Sequence, residues 1–212
     1  MLHLDHITVV APSLQEGVAH VKARLGLDVP FGRRHGYMGT HNHLMRLGEA
    51  VYLEIVAVDP AGQRPGHARW FGLDDQDAVR AAWDAGHRLR GWVARTHDIE
   101  AVLAGNEAAL GRKVELGTKD APFSFSLPAD GSLPLDGAAP SIIDRKGKPP
   151  SVATMADLGA RLRSLILEHP DPAVVAALYR SLGIAHAVEV RHGPSLRYRA
   201  AIETARGTQE LT

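Results

Sequence analysis

The sequence predicts an α+β fold built from two successive βαβββ units, with a shorter βαββ unit at the C-terminal end. Three observations predict it. Strand-like segments open each unit at residues 2–10, 89–95 and 161–168. Each is followed by a helical segment with a capping residue at its start: Ser13, Asp98 and Asp171. Short strand-like runs separated by turns then follow, so one supersecondary unit recurs along the chain.

In the first unit (about residues 1–60), Ile7 and Val9 share one strand face, and Leu4, His6 and Thr8 share the other. Ser13 opens a helix with Glu16 three residues later, as in a capping box. Leu14, Val18, Val21 and Leu25 form its apolar stripe, and Gly26 suits its end. A short strand over 27–31 and a glycine-punctuated loop over 32–39 lead to strands at 42–47 and 50–58. A connecting helix is expected over 70–86, burying Val79, Ala82 and Trp83.

The second unit (about 88–145) has a strand at 89–95 and an Asp98-capped helix carrying Ile99, Val102 and Leu103. Strands at 112–115, 123–127 and 141–144 follow. Residues 146–150 are a Lys- and Pro-containing linker between a main domain over 1–145 and an appended unit over 160–212. In that unit Pro172 follows the capping Asp171 at the first helical position. Segments 186–191 and 196–204 are expected to form a hairpin.

Composition narrows the function classes. Lys plus Arg and Asp plus Glu each number 24 in 212 residues, so no net field recruits nucleic acid or an anionic membrane. Aromatic residues are 5% of the chain, too few for an evident base-stacking platform. Without Cys there is no disulfide, thiolate zinc site or cysteine nucleophile, which leaves His and carboxylates as candidate ligands. No apolar run reaches the roughly 18 residues of a membrane span, and the expectation is a soluble cytoplasmic protein. The chain has no Gly-x-Ser-x-Gly, P-loop or dinucleotide fingerprint, and His41–Asn42–His43 matches the HNH nuclease motif in letters only.

The candidate chemistry lies in the first unit. A two-residue turn at Gly48–Glu49 sets Leu47 opposite Ala50, Met45 opposite Tyr52 and His43 opposite Glu54. Directly opposed side chains share a face, with Cβ atoms about 4.5–5.5 Å apart. On this register His6, His43, Tyr52 and Glu54 point into one concavity, and two imidazoles with a carboxylate suit a divalent cation. A salt bridge from Glu54 to Arg46 or Arg95 accounts for the carboxylate equally well. Arg33, Arg34 and His35, in a Gly-rich segment, either hold a carboxylate or phosphate or are simply solvated. Asn42 suits holding loop backbone.

The two βαβββ units resemble the vicinal oxygen chelate superfamily, the fold of glyoxalase I, the extradiol dioxygenases and the bleomycin-binding proteins. The opening LDHITVVAPSLQEGVAHVKARLGLDV (4–29) is similar to the first strand and helix of that fold. GRRHGYMGTHNHLMRLGEAVYLEIVAVDP (32–60) resembles the glyoxalase-like domain family, in which a Gly-Thr-x-Asn segment precedes a strand ending in Tyr-Leu-Glu. The resemblance implies an open, cupped sheet. Metal-bearing members draw ligands from the first and last strands of each unit. Carried over, these places are His6 and Glu54, then Gly91 or Trp92, which cannot ligate, and Asp144; His43 is the candidate to replace the missing donor.

The expected site is therefore His6, His43, Glu54 and Asp144 around Zn, Fe, Mn or Ni, with Glu54 as ligand or proton shuttle. Arg33, Arg34, Asn42 and Tyr52 would contact the substrate. The implied activity is a lyase, isomerase or dioxygenase acting on a small oxygen-rich molecule. A metal-free protein that sequesters a small molecule in the same cup is the alternative. The two units could share a site within one chain or across a homodimer.

Overall fold

The structure, a computed structural model, describes residues 2–148, 151–184 and 187–212. Strand β1 (His3–Val10) lies inside an eight-stranded sheet. The first unit continues with α1 (Leu14–Leu25), β2 (Phe31–His35), β3 (Thr40–Arg46) and β4 (Tyr52–Val58). A 3₁₀ turn (Trp70–Gly72) and α2 (Gln76–Asp84) connect it to β5 (Leu89–Thr96). Then come α3 (Ile99–Leu103), α4 (Glu107–Leu110), β6 (Arg112–Thr118), β7 (Ala121–Leu127) and β8 (Ser141–Asp144). The strand order is β2-β3-β4-β1-β5-β8-β7-β6, with the first strands of the two units antiparallel neighbours at the centre. Each also pairs in parallel with the last strand of its own unit.

Local chemistry explains the elements. Ser13 Oγ accepts the Glu16 backbone N–H at 3.3 Å, and Gly26 ends α1 in the left-handed region at φ 71°. Asp75 and Asp98 cap their helices through the N–H groups of Ala78 and Ala101. One apolar cluster, with Ile7, Val9, Leu53, Ile55 and Ala57, covers the sheet face under α1. A second, with Val10, Val56, Trp70, Phe71, Val93, Phe125 and Ile143, lies on the opposite, inner face.

Four expectations are corrected. Residues 27–30 form no strand; β2 begins at Phe31 and takes up the first half of the segment expected as loop. The helix over 70–86 is interrupted, since Phe71 has φ 60°, and α2 starts only after the Asp75 cap. The β3–β4 hairpin is one residue out of the expected register: the Leu47 N–H donates to Val51 O, leaving Gly48, Glu49 and Ala50 as the loop. Leu44, not His43, faces Glu54.

The fourth concerns the C-terminal unit. It comprises β9 (Arg161–His169), α5 (Pro172–Ser181), β10 (Glu189–His192), β11 (Arg197–Thr204) and a further strand, β12 (Gly207–Leu211). Its order is β10-β9-β11-β12, so the expected hairpin between the 186–191 and 196–204 segments does not form and β9 lies between them; His186 is outside the described residues. This sheet is fastened to the first: Tyr179 and Tyr198 hydroxyls donate to Ala138 O at 2.9 Å and Gly137 O at 2.7 Å, and Trp92 donates to the Tyr179 oxygen at 3.3 Å.

Candidate functional site

β1 carries the centre of the site because it is irregular. Its pairing with β5 slips between Leu4 and His6, making Asp5 the extra residue of a β-bulge. In a regular strand Asp5 and His6 would face opposite ways. Here both belong to one polar array, with His6 Nδ1 2.8 Å from Asp5 Oδ1 and His6 Nε2 3.3 Å from Glu54 Oε2. His6 also stacks on Tyr52, ring centroids 4.5 Å apart.

The array extends both ways across the sheet. Arg145, just beyond β8, donates to Asp5 through Nε (3.2 Å) and Nη2 (2.7 Å), and to the Tyr52 hydroxyl at 3.0 Å. On the other side Asn42 Nδ2 donates to Glu54 Oε1 at 2.7 Å and reaches His35 Nε2 at 3.4 Å. Asn42 Oδ1 accepts the Arg33 backbone N–H at 3.0 Å, which fixes the orientation of the amide. His35 Nδ1 lies 3.0 Å from Thr40 Oγ1. The line Arg145–Asp5–His6–Glu54–Asn42–His35 thus runs from the end of β8, past β5, across β1, β4 and β3 to β2.

Geometry assigns the protons. Carboxylates only accept, so an imidazole with a carboxylate at each nitrogen must carry both protons. Burial works against the His6 imidazolium, and the hydrogen bonds to Asp5 and Glu54 outweigh it, raising the pKa. Burial likewise opposes the Glu54 carboxylate, but His6 and the Asn42 amide hold its pKa below the ordinary value. Asp5, fully buried, is held well below the carboxylate range by His6 and Arg145. His35 is the reverse case: burial brings it down to about 4, and its contact with an amide N–H requires a neutral ring.

His6, His35, Asn42, Glu54 and Arg145, with Asp5 buried behind them, line one side of a cavity of about 510 Å³, counting space open to solvent. Tyr37, Trp70, Phe71, Phe123 and Phe125 form its apolar wall. The rings of Tyr37, Trp70 and the phenylalanines meet mostly edge to face at centroid distances of 5.6–6.2 Å.

Of the residues singled out from sequence, His6, Tyr52, Glu54, Asn42, Arg33 and His35 line this cavity. Three do not. The register shift turns His43 to the other face of β3, where Nδ1 lies 2.6 Å from Val29 O and the ring meets Phe31 edge-on. Arg34 is paired with Asp59 and lies at the outer mouth. Asp144 accepts the Lys146 N–H at 2.8 Å in a turn. Neither Arg46 nor Arg95 pairs with Glu54: Arg46 donates to Gly48 O, and Arg95 to Leu4 O and Ala50 O.

Asp5 and Arg145 were not foreseen. Asp5 carried a signal, a carboxylate at a core-facing position of an apolar strand. Arg145 is one residue past the expected Asp144.

The pairing registers also fix the internal equivalences. His6 is level with Tyr52, and Glu54 lies two residues on; Val93 is level with Ser141, and Ile143 lies two residues on. The second unit thus presents Val93 and Ile143 where the first presents His6 and Glu54, not Gly91 or Trp92 and Asp144. Two donors and two hydrocarbons do not fit a four-residue cation site, and both His6 nitrogens already face carboxylates. Among the described residues no group of three or more His, Cys, Asp or Glu is arranged to hold a metal ion. None of the described helices is long and apolar enough to cross a membrane.

Comparison with known proteins gives three results. A family profile described as a glyoxalase-like domain matches residues 4–183. No curated protein matches the chain. Among solved structures, a hypothetical protein from Staphylococcus aureus superposes with a TM-score of 0.64 at 14% identity, covering 98% of this chain and 92% of that one. Methylmalonyl-CoA epimerase from Mycobacterium tuberculosis matches with a TM-score of 0.41 at 16% identity, over 71% of this chain and 91% of that one. A single-substitution variant of the Streptomyces coelicolor epimerase, in complex with 2-nitronate-propionyl-CoA, gives 0.39 at 17%, over 69% and 96%.

Proposed function

Because the chain belongs to the glyoxalase-like domain family of the vicinal oxygen chelate superfamily, we propose that it binds a small oxygen-rich molecule in the cup and transfers a proton on it. Glu54 is the group that takes and returns the proton. The observation that carries this reading is the support of Glu54: one oxygen accepts from Asn42 and the other faces His6, whose far nitrogen rests on Asp5. A base held this way needs little reorganisation when the reaction begins.

The charges suit the task. Glu54 is ionised at neutral pH and so can accept a proton at once. Removing a proton next to a carbonyl leaves negative charge on oxygen, and the His6 imidazolium and Arg145 guanidinium flank the same cavity to stabilise it. The aromatic wall lowers the polarity around the site, which strengthens both interactions. No step is assigned to a metal, because the second unit offers Val93 and Ile143 at the equivalent positions.

The replacement of those two donors by hydrocarbons also favours a second reading, in which the cup binds a small molecule without transforming it. Proton exchange separates the two. In D₂O, followed by ¹H NMR, wild-type protein should wash out the proton α to the carbonyl of small keto and malonyl-type acids. Glu54→Gln should slow this by at least about a hundredfold while ligand-induced melting shifts persist. Melting shifts without exchange in the wild type would leave only binding. Elemental analysis of protein purified without chelator accompanies the assay; a stoichiometric divalent ion lost in His6→Ala would overturn the metal-independent form.

A further inference from the structure

The cup opens into a second concavity that shares Arg33, Tyr37, Phe123 and Arg145 with it. Four cations, Arg33, Arg34, Arg145 and Lys148, line this mouth, and no Asp or Glu does. The chain as a whole is electrically balanced, so the concentration is local. Two of the four are compensated: Arg145 by Asp5 and Arg34 by Asp59. The other two are not. Lys148 donates to the backbone carbonyl of Asp120, a neutral acceptor, and the Arg33 guanidinium has no carboxylate partner among the described residues. The nearby Glu115 is already engaged by Lys113 and Lys146.

These two cations come from different parts of the sheet, β2 and the segment after β8. Both are anchored: the Arg33 backbone by Asn42, and the Lys148 ammonium by the Asp120 carbonyl. We propose that the mouth is a subsite for a phosphate or diphosphate group, and that the ligand is a phosphorylated small molecule whose oxygen-rich end reaches Glu54. This rests on the reading of the cup as a ligand site. A monocarboxylate is matched by one guanidinium. Paired uncompensated cations, backed by two more, match the charge of about −2 on a phosphate and the fork geometry that Arg offers it.

Inorganic pyrophosphate is the probe, titrated calorimetrically into the full chain at low salt, with malonate as the comparison anion. Wild type should bind pyrophosphate more tightly than malonate, and binding should weaken as salt is raised. Arg33→Ala/Lys148→Ala should weaken pyrophosphate at least about tenfold. Both side chains are exposed, so the melting temperature should hold; Arg33→Glu/Lys148→Glu should abolish binding. Glu54→Gln should leave pyrophosphate affinity within about twofold, which separates this subsite from the chemistry of the floor. Equal affinity in wild type and the double alanine variant, or no binding by wild type up to about 10 mM, would overturn the subsite. Loss of proton exchange with pyrophosphate binding intact would overturn only the proton-transfer reading.

Discussion

His6 and His35 stand at opposite ends of the Glu54 carboxylate's surroundings, one held protonated and the other held neutral. Their contributions to stability therefore have opposite signs. His6 stabilises the fold below its unfolded value near 6.5 and loses that contribution as pH rises through its higher folded value. His35 does the reverse. With a folded value of about 4, it contributes above 6.5 and loses stability as pH falls from 6.5 to about 4, by an amount on the order of 3 kcal/mol. Urea midpoints measured across that window should show the loss in wild type, and His35→Gln should flatten it. An unchanged slope in the variant would remove His35 from the account. The same residues mark the limit of sequence reading at this scale. Glu54 and His6 were legible as a polar pair on one sheet face, whereas Asp5 was not, because a bulge cannot be seen in an alternation pattern.

At the level of elements, registers and caps decided what the sequence could tell. Caps are local, and Ser13, Asp98 and Asp171 each start a helix as their types and spacing require. A hairpin register depends on loop length, and the three-residue loop after Leu47 moved His43 off the face it was expected to share. One close approach fixes α1 against the sheet. A Cβ built on Gly17 would come within 2.5 Å of Ile55 Cγ2 and 2.9 Å of Ala11 Cβ, so the helix backbone rests almost directly on β4. Gly17→Ala should destabilise the protein by about 1–3 kcal/mol despite the better helix propensity of Ala. Thermal melts would check this, and a raised melting temperature would mean that α1 sits farther from the sheet.

The whole molecule holds together through one apolar cluster that runs under both sheets, from Ile7 and Trp92 to Tyr198 and Leu211. The recurrence of βα units was visible in the sequence as three similar segments. What it could not reveal was that the third would share a core with the first two, since long-range burial leaves no periodic mark. Near-UV and far-UV circular dichroism should accordingly report a single coincident transition, and a chain ending at Gly159 should lack a cooperative one. Two separated transitions would mean that the C-terminal unit unfolds by itself. The sheet order carries a further consequence for biosynthesis. The strand at its centre, β1, leaves the ribosome before either neighbour, β4 ending at Val58 and β5 ending at Thr96. At roughly 5–20 residues per second, this strand waits several seconds for both partners, its edges unpaired on the nascent chain.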